Sequence, residues 1–300
     1  MENKRKALLY ALAILIFSGA ALPVRAQEGP ARFDTSCSVD WAKGELKVQA
    51  GFDLAPAGIQ LPAGRYMAEE LLKEAYPHLV RPYLLSLRAD STSTIEDLVN
   101  RGELSLEDLD TLCQEAEKIP PSLSADLTRI TGRFTIRMEK VSTLLTRHRR
   151  SLDPGKPLIP VPTADYTGII IIADKELPVH GRRAQASVTP CVFPKIWDTD
   201  MNLVYERNML DPLWRGGTLM VRYTTAESVF RPTPSGLEGE LADLAGPNPL
   251  RILAREVFGI NPTDPVIDRE DALKILSTEN NRRLLREGRV VLVLNQESLN

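Results

Sequence analysis

Histidine and cysteine are scarce in this sequence, three of each in 300 residues. The Cys/His clusters of structural or catalytic zinc therefore have little material, and no C-x-x-C pair occurs. The phosphate cradle G-x-x-x-x-G-K followed by Ser or Thr is absent, as are H-E-x-x-H, G-x-S-x-G and an EF-hand loop. P-loop nucleotide chemistry, zinc proteolysis, the nucleophile elbow and EF-hand calcium binding lose their support together. Neither sign of charge dominates, since 37 basic residues against 40 acidic ones leave −3, and nucleic acid is excluded as a partner. A mean hydropathy of −0.16 excludes a polytopic membrane protein. With 43% hydrophobic and 26% charged residues the chain is nevertheless too apolar for a disordered polymer, and its length suits about two domains.

The one long apolar run stands at the start. Lys4, Arg5 and Lys6 precede an uncharged stretch from Ala7 to Val24, interrupted by Gly19 and Pro23 ahead of Val24-Arg25-Ala26. This is the pattern of a secretory signal peptide. The small side chains at Val24 and Ala26 put cleavage after Ala26, so residues 1–26 are read as leader and the mature chain begins at Gln27. A retained anchor is the competing reading, because about 18 apolar residues just span a bilayer; helix breakers beside the processing site favour cleavage. Cys37 has no apolar Leu-x-x before it, which argues against lipid attachment. The expected compartment is the periplasm, where the mature chain carries −6 once the basic leader is gone. Of Cys37, Cys113 and Cys191 at most one pair can bridge within a monomer, and spacing does not say which. Buried structural thiols are the expectation for them. A Cys-His nucleophile has only His78, His148 and His180 to work with.

Leu46, Val48, Ala50 and Phe52 alternate with polar residues, so Cys37–Trp41 and Glu45–Phe52 read as a hairpin with one buried face. Leu61, Ala68, Leu71, Leu72, Ala75 and Leu79 then recur at helical spacing, on a helix ended or kinked by Pro77 and Pro82. Short helices follow from Thr94 and from Ser105, the second with Asp108 placed for a capping box and with Pro120-Pro121 as its stop. Thr128–Met138 reads as a long strand. Arg147-His148-Arg149-Arg150 is the densest basic run, read as a solvated face in preference to an anion site. Pro154, Pro157, Pro160 and Pro162 make residues 151–164 an extended linker. The expected order is therefore 1–26 leader, 27–150 N-terminal domain, 151–164 linker and 165–300 C-terminal domain.

In the second half, Ile169-Ile170-Ile171-Ile172-Ala173 is a short, β-branched run that reads as a central strand covered on both faces. Val188–Trp197 and Asn202–Tyr205 suggest a hairpin around Asp198-Thr199-Asp200, with Pro190 and Pro194 pushing its first arm to an edge. Strands follow at Thr218–Thr224, Leu250–Phe258 and Arg289–Leu294. Asp268 stands where it can cap a helix carrying Ala272 and Ile275, and Gly288 ends a helix through Leu284 and Leu285. Strands outnumber helices without a clean βα repeat. The expected class is α+β: two sheet-containing domains with helices packed on one face and mixed or antiparallel strands.

No catalytic, cofactor-binding or metal-binding residue is assigned. Asp198 and Asp200 offer two carboxylates to a hard cation, far short of the six to eight oxygens of a calcium site, and read as a tight turn. Trp197, Tyr205 and Trp214 suit stacking on envelope sugars, although aromatics at strand spacing more often serve a core. His180-Gly181-Arg182-Arg183 has donors for an anion, with no base or nucleophile near it in sequence. Paired carboxylates for glycoside hydrolysis are a spatial property that spacing does not report.

A block of the second half resembles bacterial envelope proteins. Tyr166-Thr167-Gly168-Ile169-Ile170-Ile171 leading to Asp174, then Pro194-Lys195-Ile196-Trp197-Asp198-Thr199-Asp200 leading to Val204-Tyr205, opens it. Asn248-Pro249-Leu250, Thr263-Asp264-Pro265-Val266-Ile267, Asp271-Ala272 with Ile275, and Arg289-Val290-Val291-Leu292-Val293 continue it. In order and spacing these are similar to periplasmic proteins related to the flagellar P-type and T-ring assembly proteins and to small outer-membrane lipoproteins, over Tyr166 to Asn295. The chain departs from that pattern at Met201, where glycine is usual in the acidic turn, and in lacking the lipid-modified cysteine. The resemblance implies an exported, non-enzymatic envelope protein, a structural or assembly component working through an envelope protein partner or self-assembly, in the setting of a flagellum, with no cofactor. The alternative is a periplasmic enzyme or binding protein for cell-wall sugar or peptide.

Overall fold

The computed structural model describes residues 31–213, 219–230 and 239–299; the leader expected at 1–26 and Trp214 lie outside them. The N-terminal half comprises β1 (Asp34–Asp40), β2 (Glu45–Asp53), α1 (Arg65–Ser86), α2 (Ile95–Asn100), α3 (Leu106–Gln114), β3 (Glu117–Leu123), β4 (Arg129–Arg137) and α4 (Met138–Leu145). Its sheet is antiparallel in the order β1-β2-β4-β3. Leu46, Val48, Ala50 and Phe52 meet Ile136, Phe134, Gly132 and Ile130 across the ladder, and this face turns toward α1.

The helix expected to break at Pro77 and Pro82 runs unbroken through both. Ala68, Leu72, Tyr76, Val80 and Leu84 form one buried stripe. Burying the four larger of them at about 1.5 to 3 kcal/mol each matches or exceeds the roughly 6 kcal/mol that two interior prolines cost. The carbonyls those prolines leave free belong to Lys73 and His78, whose residues are exposed. Thr94 and Ser105 each close a capping box with Asp97 and Asp108, and both carboxyls are held below the usual range first by the cap's backbone N–H. Pro120 and Pro121 stop no helix, for α3 has already ended at Gln114; they sit at a register shift in edge strand β3, where a missing N–H is tolerated.

The C-terminal half comprises β5 (Ile169–Ala173), β6 (Leu177–Pro178), β7 (Gln185–Ala186), β8 (Ile196–Asp198), β9 (Leu203–Tyr205), β10 (Arg222–Thr225), α5 (Ala226–Phe230), α6 (Gly239–Ala245), β11 (Leu250–Phe258), β12 (Asp264–Ile267), α7 (Arg269–Ser277), α8 (Glu279–Arg286) and β13 (Val290–Leu294). Seven strands make a mixed sheet in the order β10-β13-β5-β11-β12-β8-β9, and β6 with β7 forms a separate small hairpin. The protein is α+β, with a four-stranded antiparallel sheet, a seven-stranded mixed sheet and the small antiparallel β6–β7 pair. The isoleucine run is a central strand, parallel to β13 on one side and β11 on the other. Ile170 packs with Val229, Ala245, Val291 and Val293, while Ile169 and Ile171 belong to the large core with Ile275, Leu284 and Leu285. Residues 188–195, expected as a hairpin arm, form no strand, because Pro190 and Pro194 deprive them of ladder donors. Asp268 does precede α7, but its carboxylate accepts from Arg255 Nε at 2.7 Å and caps nothing.

The Tyr-Thr-Gly block has a packing role. Thr167 Oγ1 donates to the Ala245 carbonyl at 2.7 Å and accepts the Asn248 N–H at 2.9 Å. A Cβ on Gly168 would stand 2.6 Å from Ala245 Cα, so only glycine lets α6 approach this closely. Buried Asn281 accepts the Tyr166 N–H and donates to the carbonyls of Ala164 and Lys274. Residues 151–164 carry no helix or strand. They lie along the C-terminal half, held by Leu152 N–H to Asn208 O (2.7 Å), Asp153 to Arg286 (2.8 Å) and Val161 N–H to Ser277 Oγ (2.9 Å).

The two halves are docked. Val192 and Phe193 donate backbone N–H bonds to Arg88 O and Ala89 O, and Asn261 N–H bonds Ser91 O. Arg222 meets Glu139 at 3.0 Å with both side chains mostly buried, and Trp41 packs edge-on against Tyr223 at 5.7 Å. One contiguous buried cluster contains Leu46, Tyr76 and Leu109 of the first half together with Ile171, Val257 and Leu292 of the second.

Candidate functional site

Apart from Trp214, each residue that could have carried chemistry has a definite place. Cys37, Cys113 and Cys191 are all free thiols, Cys37 half-buried on β1 and the other two buried. Burial pushes the Cys113 thiol up to about 11 and that of Cys37 upward as well, so neither is an activated thiolate at neutral pH. The Asp198 carboxylate accepts the N–H groups of Asp200 (3.0 Å) and Asn202 (2.7 Å) and the Asn202 amide (2.9 Å). Its oxygens are spent on the turn, and Asp200 pairs with Arg269 at 2.9 Å. Met201 sits at φ 59°, the left-handed region that glycine enters without strain. Among the described residues, no three His, Cys, Asp or Glu side chains gather to hold a metal ion. Tyr205 is fully buried and donates to Met220 O at 3.1 Å, so it is core and offers no face to a sugar.

Tertiary structure supplies His180 with the partner its sequence neighbours lack. Glu256, 76 residues away, places Oε2 at 2.5 Å from His180 Nδ1, because residue 179 bridges to Val257 of β11. Both side chains are about one-third exposed, at 33% and 35%. The ring also packs edge-on against Phe258, which in turn packs against Trp197. The pair can hold a proton, yet His180 has no hydroxyl or thiol partner among the described residues, and Arg182 and Arg183 project to solvent. In the basic run, Arg147 pairs with Asp108 at 2.6 Å and His148 Nε2 donates to Leu210 O at 2.7 Å. Only Arg149 and Arg150 are plain solvated charge.

A buried polar group lies in the seam between the halves. Asp264, 1% exposed, accepts from Thr263 Oγ1 (2.7 Å), Lys195 N–H (3.1 Å) and Trp197 Nε1 (3.4 Å), and from the Ser91 hydroxyl. Desolvation raises its carboxyl above the usual range against those hydrogen bonds. Beside it, Tyr223 Oη donates to Cys191 O at 2.8 Å and accepts Cys191 N–H at 3.1 Å. Gly259 is confined by the same seam, since a Cβ there would stand 2.6 Å from Ser91 Cβ. No substrate reaches groups this enclosed, and their chemistry is that of a clasp between the halves.

The open surface with the most definite geometry is the N-terminal sheet. Its outer face carries Lys47 and Gln49 from β2 and Arg133 and Thr135 from β4, beside Ser36 and Ser38 from β1 and Ile119 from β3. Small side chains at Ser36, Ser38 and Thr135 leave a groove of about 410 Å³ across the strands. Arg129 and Arg137 are neutralised by Asp53 with Asp34 and by Glu117; Arg133 makes no ion pair among the described residues. The two sheet edges differ. β3 is guarded by Pro120 and Pro121 and a register shift, whereas β1 pairs regularly with β2 through all seven residues, and among the described residues nothing pairs with its other side. β1 contains no proline, lysine or bulge, and its two charges, Asp34 and Asp40, stand at its ends and are paired with Arg129 and Lys47, so little along its length blunts the edge. That contrast is not readable from β1 alone, because an edge is a property of strand order.

Residues 32–144 match the family model described as the N-terminal domain of Treponema pallidum Tp0624, and residues 168–296 match that of its second domain. The two matches flank the extended segment and fall in the order of those domains. No curated protein matches the chain.

Proposed function

We propose that this is an exported, non-enzymatic cell-envelope protein, a structural or assembly component that works through protein contacts. The observation that carries the reading is the unguarded edge of β1 beside a groove of polar side chains, because a long regular edge is a template for another protein's strand. The leader pattern at residues 1–26 supports export to the periplasm. None of the described helices is long and apolar enough to cross a membrane. The resemblance of the second half to flagellar T-ring proteins makes a flagellum or another trans-envelope machine the first place to look.

The test is fractionation and in-cell crosslinking of a tagged full chain, in cells with and without flagella. Recovery from the periplasm with a specific crosslinked protein, at a position that follows the machine, is the expected result. A cytoplasmic chain with an intact leader would overturn it. Arg133 over the groove, which makes no ion pair among the described residues, favours one second reading, binding of an anionic cell-wall sugar or peptide. Calorimetry with peptidoglycan fragments separates the two, since saturable binding lost in Arg133→Ala belongs only to the second.

A further inference from the structure

The strand left open is nearly its own mirror. Asp34-Thr35-Ser36-Cys37-Ser38-Val39-Asp40 reads the same from either end, apart from the shape-matched pair Thr35 and Val39. An antiparallel strand set beside β1 with its Cys37 opposite Cys37 would place Ser36 against Ser38, Thr35 against Val39 and Asp34 against Asp40. We propose that β1 pairs in this register with β1 of a second copy of the chain, joining two four-stranded sheets into one of eight. This rests on the reading above that the protein works through protein contacts, and names the partner.

Three features of the strand fit that occupant. First, the like charges that meet at each end of the ladder are already balanced within their own copy. Asp34 is held by Arg129 at 3.0 Å, and Asp40 lies 3.5 Å from Lys47 and 3.8 Å from Lys43. The carboxylates that meet across the pair therefore each arrive with a cation, which offsets the repulsion of like charges placed opposite one another. Second, the inner face of β1 is only partly covered. Thr35 is exposed and Cys37 and Val39 are half-buried, because α1 lies over β2 and β4. A second β1 would extend that face with the same three side chains. Third, no backbone feature of β1 obstructs a ladder: all seven residues are in register with β2 without a bulge. The opposite edge, at Pro120 and Pro121, has the features that refuse a strand.

The experiment uses the full mature chain under reducing conditions. Sedimentation from roughly 1 to 200 μM covers the affinities of a small interface. The expected result is a reversible dimer, weakened at least about tenfold by the double change Thr35→Lys with Val39→Lys, which puts four ammonium groups on one face of the paired edge. Ile119→Lys, at the guarded edge, should leave the dimer unchanged. Opposite residues in a ladder stand about 4.5 to 5.5 Å apart at Cα, so a short bismaleimide should link Cys37 to Cys37, and Cys37→Ser should abolish the link without dissolving the dimer. Circular dichroism on each variant verifies that the fold is kept. A chain that is monomeric throughout overturns the proposal, as does a dimer indifferent to the β1 lysines. If such a monomer still captures a specific envelope protein in cells, self-pairing has failed while the broader reading stands.

Discussion

Replacing Ile171 by alanine probes the center of the larger sheet. The side chain is fully buried on β5, beside Leu292 of β13 and Ile252 of β11. The change removes three carbon groups, about 2.4 kcal/mol of transfer free energy at roughly 0.8 kcal/mol per group. Strands fixed on both sides collapse poorly into the space, and the residual cavity brings the expected loss to about 2 to 5 kcal/mol. That is a large share of a total stability of about 5 to 15 kcal/mol. Urea unfolding followed by circular dichroism reads the loss. The core holding Ile171 also contains Leu46, Tyr76 and Leu109, so both halves should weaken together, and protease should spare no fragment ending near residue 150. The reasoning is refuted by a loss below about 1 kcal/mol, or by a resistant fragment of residues 27–150 that outlives the remainder.

Four further changes test other parts of the structure. Met201→Gly should stabilise the protein by up to about 1 kcal/mol, by relieving a left-handed side chain at the cost of some chain entropy; a lowered melting temperature would contradict the strain. Tyr223→Phe leaves the buried N–H and C=O of Cys191 without their partner and should cost about 2 to 4 kcal/mol, whereas Tyr83→Phe, which loses only an exposed bond to Thr35, should barely move the melt. Because burial raises the Asp264 carboxyl, the folded state holds that proton more tightly than the unfolded chain does. Stability from this group is therefore lost as pH rises from the unfolded value through the raised one. Asp264→Asn should show a smaller loss over that window, and superimposable pH profiles would refute the assignment. Finally, maleimide should label Cys37 in the native protein and reach Cys113 and Cys191 only after unfolding, so equal native rates for all three would show that the core is open.

Some of this protein was legible one residue at a time. Alternation at Leu46, Val48, Ala50 and Phe52 defined β2 because a strand's two faces repeat every second residue. Four consecutive isoleucines required a strand covered on both sides, and Ser105 with Asp108 announced a helix start through bonds only three residues long. These are local constraints, and local sequence contains them. What the sequence left open depended on distant partners. Pro77 and Pro82 failed to break α1 because a buried stripe along its whole length outweighed two lost hydrogen bonds, and that stripe is buried only once β2 and β4 are in place. Glu256 reached His180, Asp264 found Ser91, and residues 151–164 were tied along the second half, each through chain segments that no spacing rule connects. The open edge of β1 is the plainest case: its seven residues specify a strand, but only the strand order among the described residues leaves one side of it unpaired.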